Sequence, residues 1–502
     1  MLFNSYIFIF VFLPIAIIGY FGLNKIKKYI PAKFFLVGMS LWFYAYFNLE
    51  YLWIILASIA VNYCCHRLML LRNLESKPGV QKGVFIVGLL VDIGLLFYYK
   101  YFNFFIDNIN SVFKMSIQVE TILLPLGISF FTFQQIAFLV DTKRGKVNRQ
   151  PLCDYMLFVT FFPQLIAGPI VSQDEMLPQF RNHELKKLNA QNLYVGLRIF
   201  ILGLSKKILI ADLMGQAVQW GYEHVSLMHG SGAALLILLY TLQIYFDFSG
   251  YCDMARGIGY MFNINLPVNF NSPYKAKNII EFWNRWHMTL TRFFTGYLYI
   301  PLGGNRKGNL RTYINILIVF FISGIWHGAG YTFIVWGLLH GLINVGTRIF
   351  HKYKERFNYP GKNNALCSKI REVLAMVATF VCINLLWVFF RAESLTQALT
   401  LIAQLFDVRN SSGVGELASL FITSEVWYIF KIFKIEGMIW ANYLPMFLNI
   451  LLSVFVVWGC KNIAESEKKF KPTAMNCVVL SCLLLWCIVS LSNVSTFLYF
   501  NF

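Results

Sequence analysis

Charged side chains are scarce in this chain: Asp, Glu, Lys and Arg make up 13% of its 502 residues, about half of the ~25% usual in soluble domains. That shortage excludes a soluble domain of this length, because too few charged groups remain to clothe a folded core in water. Acidic residues are the rarer sign, 24 against 43 basic ones. The net charge of +19 does not amount to a nucleic-acid surface, because the cations fall in short loops between apolar segments. No nucleic-acid partner is expected. Long Pro-, Ser- or Gly-rich linkers are missing, and the longest polar stretches are only Phe180 to Gln191 and Lys352 to Glu372. No internal repeat is visible, which weighs against a transporter built from inverted repeats. The 10 cysteines show no paired spacing for disulfides or zinc. Cys64-Cys65-His66 stands alone, and neighbouring helical residues point ~100° apart, so no metal centre is expected.

What the chain has instead is apolar surface, 58% hydrophobic residues with 18% aromatic. Stretches of spanning length fall at about 3–23, 34–49, 50–70, 83–103, 119–140, 155–171, 193–212, 232–248, 312–326, 331–347, 372–390, 439–460 and 475–492. The fold class is therefore an all-α polytopic membrane protein, with the shorter stretches re-entrant or tilted. Lys25, Lys27, Lys28 and Lys33 follow the first stretch, whereas Met1 to Asn4 carry no basic side chain. The positive-inside rule then places the N-terminus outside and the lysines in the cytoplasm. The same pattern argues against a cleaved signal peptide, which needs a basic region before its apolar core. Arg348 to Arg356 and Lys468, Lys469 and Lys471 are further cytoplasmic candidates. We read one integral-membrane domain over 1–502, with more variable helices over 372–502.

Between Arg311 and Arg348 lie 36 residues, Thr312 to Thr347, without one charged side chain, and His327 stands near their middle. One helix of that length would reach ~54 Å, against a hydrocarbon core of ~30 Å, so the run must break. Gly328-Ala329-Gly330 is the expected breaking point. An ionisable ring at such a junction is a functional candidate by default. His340, in Leu338-Leu339-His340-Gly341, reads as a hydrogen-bonded packing residue. His66, His183, His224, His229 and His351 lie near loops or charges and are expected to be solvated.

Four further segments hold polar groups that a lipid-facing helix does not tolerate. Leu124 to Gln135 joins a Pro-Leu-Gly break to Gln134 and Gln135. Phe161 to Pro169 carries Gln164 between two prolines, which leave carbonyls without helical partners. Gln243 to Asp253 places Tyr245, Asp247 and Asp253 at the end of an apolar run, where each carboxylate needs a partner, with Arg256, Arg285 or Arg292 available. Helix-packing ion pairs are the plainer role for these acids. Glu281 to Phe294 is the densest. As one helix it puts Glu281, Arg285, Thr289 and Arg292 near one face and Trp283, Trp286, His287 and Leu290 on another. An interfacial amphipathic helix explains that pattern too. The turn that follows, Pro301-Leu302-Gly303-Gly304-Asn305-Arg306-Lys307-Gly308, suits an anion.

Phe282-Trp283-Asn284-Arg285-Trp286-His287-Met288-Thr289-Leu290-Thr291, Tyr299-Ile300-Pro301-Leu302-Gly303-Gly304-Asn305-Arg306 and Gly324-Ile325-Trp326-His327-Gly328-Ala329-Gly330 together resemble the membrane-bound O-acyltransferase family. The likeness is to its bacterial branch that serves alginate and peptidoglycan O-acetylation. Residues 120–350 carry this motif-bearing core, and Phe497 to Phe502 resembles the branch's aromatic tail. Thr295-Gly296 stands where alginate-type relatives often have Arg-Asp, which bears on the acceptor. The resemblance implies a ring of tilted and re-entrant helices around a thinned central tunnel. It implies His327 as the residue required for acyl transfer and His287 as a second functional residue. It also implies a bacterial cytoplasmic-membrane location and acetyl-CoA as donor substrate, with no bound cofactor. The implied partners are membrane lipid and either an extracytoplasmic SGNH-type acetyltransferase or the polysaccharide acceptor itself.

Acyl transfer from a thioester to a hydroxyl needs a base and oxyanion donors. His327 is expected to be the neutral base, with His287 orienting or polarising. Asn284, or backbone N-H groups near Gly328 and Gly330, would supply the donors. Arg285, Arg306 and Lys307 would meet the coenzyme A phosphates, and Trp286, Trp326, Gly328, Gln134, Gln164, Tyr245, Asp247 and Asp253 complete the expected substrate site. D-Alanyl transfer to teichoic acid is the sister alternative, and a transporter or polysaccharide-export pore the alternative of another class.

Overall fold

The computed structural model describes residues 1–71, 77–120, 122–356, 365–435, 437–467, 472–493 and 498. Lys468, Lys469, Lys471 and most of the aromatic tail lie outside the described residues. Among those described, the regular elements are all helical. Among the described residues, eight helices are long and apolar enough to cross a membrane, from Phe8–Lys25 to Ile439–Gly459, and Ala474–Val489 is a shorter apolar one. The chain is a multi-pass membrane protein.

Two expected spans are broken. The 119–140 stretch becomes a helix only at Ile128–Lys143, because Pro125 and Gly127, the latter at φ 73°, turn the chain first. The 155–171 stretch splits into Leu152–Thr160 and Phe162–Leu165, as Pro163 and Pro169 dictate. It lies buried as a re-entrant element, which is how non-helical backbone survives at membrane depth.

At the centre, helix Ser231–Met261 runs antiparallel to Ala190–Ser205. Gly196 faces Gly257 and Gly203 faces Gly250, so closely that an added Cβ would stand 2.5 to 2.8 Å from the opposite carbonyl oxygen. Small residues two turns apart let the backbones touch where no hydrophobic effect drives association. The same crossing answers the question of Asp247 and Asp253. Their partners are lysines, not the three arginines. Lys207 Nζ lies 2.6 Å from Asp247 and 2.6 Å from Asp212, and Lys206 Nζ lies 2.7 Å from Asp253. The arginines are committed elsewhere: Arg256 to Glu467 at 2.7 Å, Arg285 to Glu281 at 2.7 Å, and Arg292 to Glu175.

His66 also departs from expectation. It is fully buried, with Nδ1 2.9 Å from Thr142 Oγ1 and Nε2 accepting from Gln150 N-H. Thr142 and Gln150 come from distant sequence, so proximity to Arg67 was a poor guide to its exposure. His340 is a packing residue as expected, accepting from the Trp283 indole N-H at 3.2 Å.

The uncharged run breaks where its glycines require. Helix Gly308–His327 ends at the histidine and, after the three residues Gly328 to Gly330, Tyr331–Arg356 begins, forming an antiparallel hairpin. A Cβ on Gly324 would stand 2.4 Å from Phe333 O, and one on Gly337 2.4 Å from Phe320 O, so the hairpin closes only around glycine. His327 therefore sits at the tip of a hairpin whose open end carries Arg306, Lys307 and Arg348.

Candidate functional site

A helix ending inside a membrane leaves carbonyls unpaired and a partial negative charge behind. At His327 those carbonyls are met from helix Pro78–Phe113, which widens into a π-turn over Phe97–Tyr101. Lys100 Nζ donates to Trp326 O at 2.5 Å and His327 O at 3.2 Å, and Tyr101 OH donates to Ile325 O at 3.0 Å. The extra residue of the π-turn aims both side chains at one target. Lys100 was overlooked in the sequence, although the reasoning that singled out His327, an ionisable side chain within a span, applies to it equally.

The His327 ring is buried in an aromatic box, 4.8 Å from Trp326, 5.0 Å from Trp336 and 5.1 Å from Phe390, centroid to centroid. Trp326 stacks on Phe133 at 5.1 Å and stands 6.4 Å from the His287 ring. The two histidines thus flank one indole. Among the described residues the indole N-H groups of Trp326 and Trp336 have no hydrogen-bond partner. Two buried donors beside two imidazoles is a costly arrangement unless a ligand completes it.

His287 does not lie within a helix. Ile279–Trp283 stops short of it, Met288–Phe294 starts after it, and His287 itself adopts φ 44°, ψ 52°. The turn is held by the extended segment 269–271, with Asn271 N-H donating to Arg285 O and Met288 N-H to Asn269 O, both at 2.9 Å. The break buries Thr289, which the helical reading placed on the charged face, against Asn269 together with Trp286 and His287. Trp286 packs against Phe270 at 4.9 Å and Trp387 at 5.0 Å.

Asn269, also missed in the sequence, fixes the protonation pattern of His287. Its Oδ1 accepts from Thr289 N-H at 3.2 Å, and a backbone N-H only donates, so this atom is an oxygen. His287 Nδ1 lies 3.1 Å from the same oxygen and must carry the proton. Nε2 is then a lone-pair acceptor, buried and without a partner among the described residues. In this tautomer the ring offers an acceptor, which suits the orienting role of the two expected of it.

Two cavities flank the tip. One, of about 330 Å³, extends along the hairpin from Asn305 and Arg348 to Ser323, four residues before His327, and includes Asn284 and Trp283. The other, of about 520 Å³, lies beyond the tip against Ala329, Gly330 and Phe390, with Glu223, Arg391 and Glu393 on its wall.

Of the expected site residues, the fold assembles His327, Trp326, Gly328, His287 and Trp286. Gly328 lies against the Phe333 ring, where a Cβ would clash at 2.2 Å. The backbone N-H groups proposed as oxyanion donors are engaged: Gly330 N-H with Gly328 O at 3.0 Å, Gly328 N-H with Gly324 O at 3.4 Å. Asn284 is exposed to the hairpin cavity, and Arg306 and Lys307 are exposed on the turn at its open end. Gln134 is buried beside Phe133 and Gln164 donates to Phe158 O at 2.6 Å, and the Oε1 of each is without a partner among the described residues. Tyr245 packs 6.4 Å from Trp286, but Asp247 and Asp253 are held in the ion pairs of the central crossing.

Residues 41–388 match the family model described as MBOAT, membrane-bound O-acyltransferase family. The chain is 39% identical to the peptidoglycan O-acetyltransferase of Helicobacter pylori, over 100% of this chain and 98% of that protein. It is 35% identical to a probable alginate O-acetylase of Pseudomonas aeruginosa, over 84% of this chain and 77% of that one. The teichoic acid D-alanyltransferase of Bacillus subtilis is 28% identical over 51% of this chain and 65% of its own length.

Proposed function

Because the chain belongs to the membrane-bound O-acyltransferase family and is an acyltransferase of many membrane passes, we propose that it takes acetyl from cytoplasmic acetyl-CoA and delivers it across the membrane. The destination is O-acetylation of a cell-surface polysaccharide, peptidoglycan ahead of alginate. The observation that carries this choice is the end-to-end likeness to the peptidoglycan enzyme, where the D-alanyltransferase likeness covers only half of the chain.

In this reading the thioester arm enters along the hairpin cavity from the cytoplasmic face, with Arg306, Lys307 and Arg348 near the coenzyme A phosphates. The acceptor hydroxyl arrives from the cavity beyond the tip. It belongs to the polysaccharide or to an extracytoplasmic SGNH-type transferase that passes the acetyl on. His327 takes the hydroxyl proton as the oxygen attacks the thioester carbonyl. The tetrahedral oxyanion is met by the indole N-H groups of Trp326 and Trp336. Its collapse breaks the C-S bond, and the imidazolium returns the proton to the departing thiolate. His287 Nε2, an acceptor, receives an amide N-H of the pantetheine arm and orients it.

Purified protein incubated with labelled acetyl-CoA and a candidate acceptor or partner transferase tests this reading. Release of free thiol with transfer of label supports it. No thioester consumption with any acceptor, with D-alanyl-thioester consumed instead, sinks it in favour of the sister branch.

The role given to Asn269 has its own consequence. Asn269→Leu removes the acceptor that fixes the tautomer and is expected to lower kcat/KM by about 10–100-fold, the range seen when the partner that orients a metal-ligating histidine is lost. Asn269→Asp keeps the acceptor but stabilises the imidazolium. Since the ring must be neutral to accept, the acidic limb of the pH-rate profile should move to higher pH. An unmoved limb in Asn269→Asp counts against the assignment.

A further inference from the structure

Away from the hairpin, a cavity of about 510 Å³ opens between the end of helix Phe8–Lys25 and the segment 183–188. Its composition is one-sided. Lys25, Lys27, Lys186 and Lys187 line it, and no Asp or Glu does. Lys187 has a carboxylate partner, Glu184 at 3.3 Å, in a pair exposed on both sides and therefore weak. Lys186 is buried and rests on an aromatic face instead, with Nζ 4.3 Å from the Tyr29 ring centroid. Burial first, and the nearby Lys33 ammonium second, push its pKa below the ordinary lysine range. The Tyr29 ring is in turn held edge-on by His183 at 4.8 Å.

The opposite wall is apolar. Ile17, Ile18 and Phe21 belong to the first membrane-spanning helix, and Ile18 is 72% exposed, facing the lipid. Lys25 ends that helix, so the cavity lies where hydrocarbon gives way to headgroups. Asn24 adds a third feature. It lines the cavity, is 5% exposed, donates to Tyr20 O, and leaves its Oδ1 without a partner among the described residues. A ligand here must therefore present an anion to the lysines, a hydrogen-bond donor to Asn24 and an acyl chain to Ile17, Ile18 and Phe21.

We propose that this cavity binds an anionic glycerophospholipid whose headgroup carries hydroxyls, the chemistry of phosphatidylglycerol. A zwitterionic headgroup brings a fifth cation into a site that already holds four lysines, and free phosphate leaves the apolar wall bare. The bound lipid ties the 183–188 segment to the bilayer through charge and chain at once.

Native mass spectrometry of the detergent-purified full chain tests this, with phosphatidylglycerol, phosphatidylcholine and inorganic phosphate as probes. Phosphatidylglycerol should remain as a stoichiometric adduct that phosphatidylcholine does not form and phosphate does not displace. Lys25 and Lys27 are exposed, so Lys25→Gln with Lys27→Gln leaves the fold intact and should weaken retention about fivefold per lysine removed. Lys186→Gln adds to the loss. Equal retention of phosphatidylglycerol and phosphatidylcholine, displacement by phosphate, or undiminished adducts in the double variant each overturn the proposal.

Discussion

His327→Ala is expected to lose ~10²–10⁴ in turnover, the span that a positioned general base supplies, with little change in acetyl-CoA binding. The expectation rests on position as much as on residue type. The ring stands at the tip of a hairpin, with one cavity reaching Ser323 before it and another reaching Ala329 and Gly330 after it, and its backbone carbonyl is pinned by Lys100. Truncation leaves that backbone anchor in place, because Lys100 bonds to main-chain oxygens and not to the imidazole. The variant should therefore fold, which thermal unfolding in detergent can check, and donor affinity should hold in equilibrium binding. Turnover within a few-fold of the parent protein would remove His327 from the chemistry. Equal loss of turnover and of donor affinity would make it a binding residue.

The place of His327 was legible because two arguments converged on it: the uncharged run was too long for one helix, and glycine marked where it breaks. Both arguments concern local sequence, and the hairpin bears them out. The surroundings of the ring were less legible because they come from elsewhere in the chain. Lys100 reaches it from more than 200 residues upstream, and no periodicity connects the two. Asn269 lies in a Pro- and Asn-rich stretch that reads as an ordinary loop, yet its side chain fixes a tautomer 18 residues later. The error over Glu281 to Phe294 has a different source. Helical periodicity put Thr289 on one face with Glu281, Arg285 and Arg292, whereas pairing with segment 269–271 broke the helix and buried Thr289 against Asn269. Asp247 and Asp253 show the same limit. That they needed cations followed from burial cost. Which cations answered depended on a helix crossing set by four glycines.

Trp326→Phe is expected to lower kcat by ~10²–10³, the cost of deleting one oxyanion donor, with KM for acetyl-CoA nearly unchanged. Phenylalanine keeps an aromatic face for the stack on Phe133 and for Lys100, which lies 5.7 Å above the ring. What it removes is an indole N-H that is buried beside both histidines and bonds to nothing among the described residues. A donor left unpaired in the resting protein costs about 1–3 kcal/mol, and a site that instead uses it when negative charge develops recovers that cost in the transition state. A split between kcat and KM is the diagnostic, because a packing defect would weaken donor binding as well. Trp336→Phe provides the internal comparison. Its indole N-H is equally unpaired and its ring stands 5.0 Å from His327 on the other side. If both indoles face the oxyanion, each single variant loses activity and the double variant loses less than the product of the two, as donors acting on one charge do. If only the Trp326 variant falls, the oxyanion lies between the two histidines, and Trp336 serves the box alone.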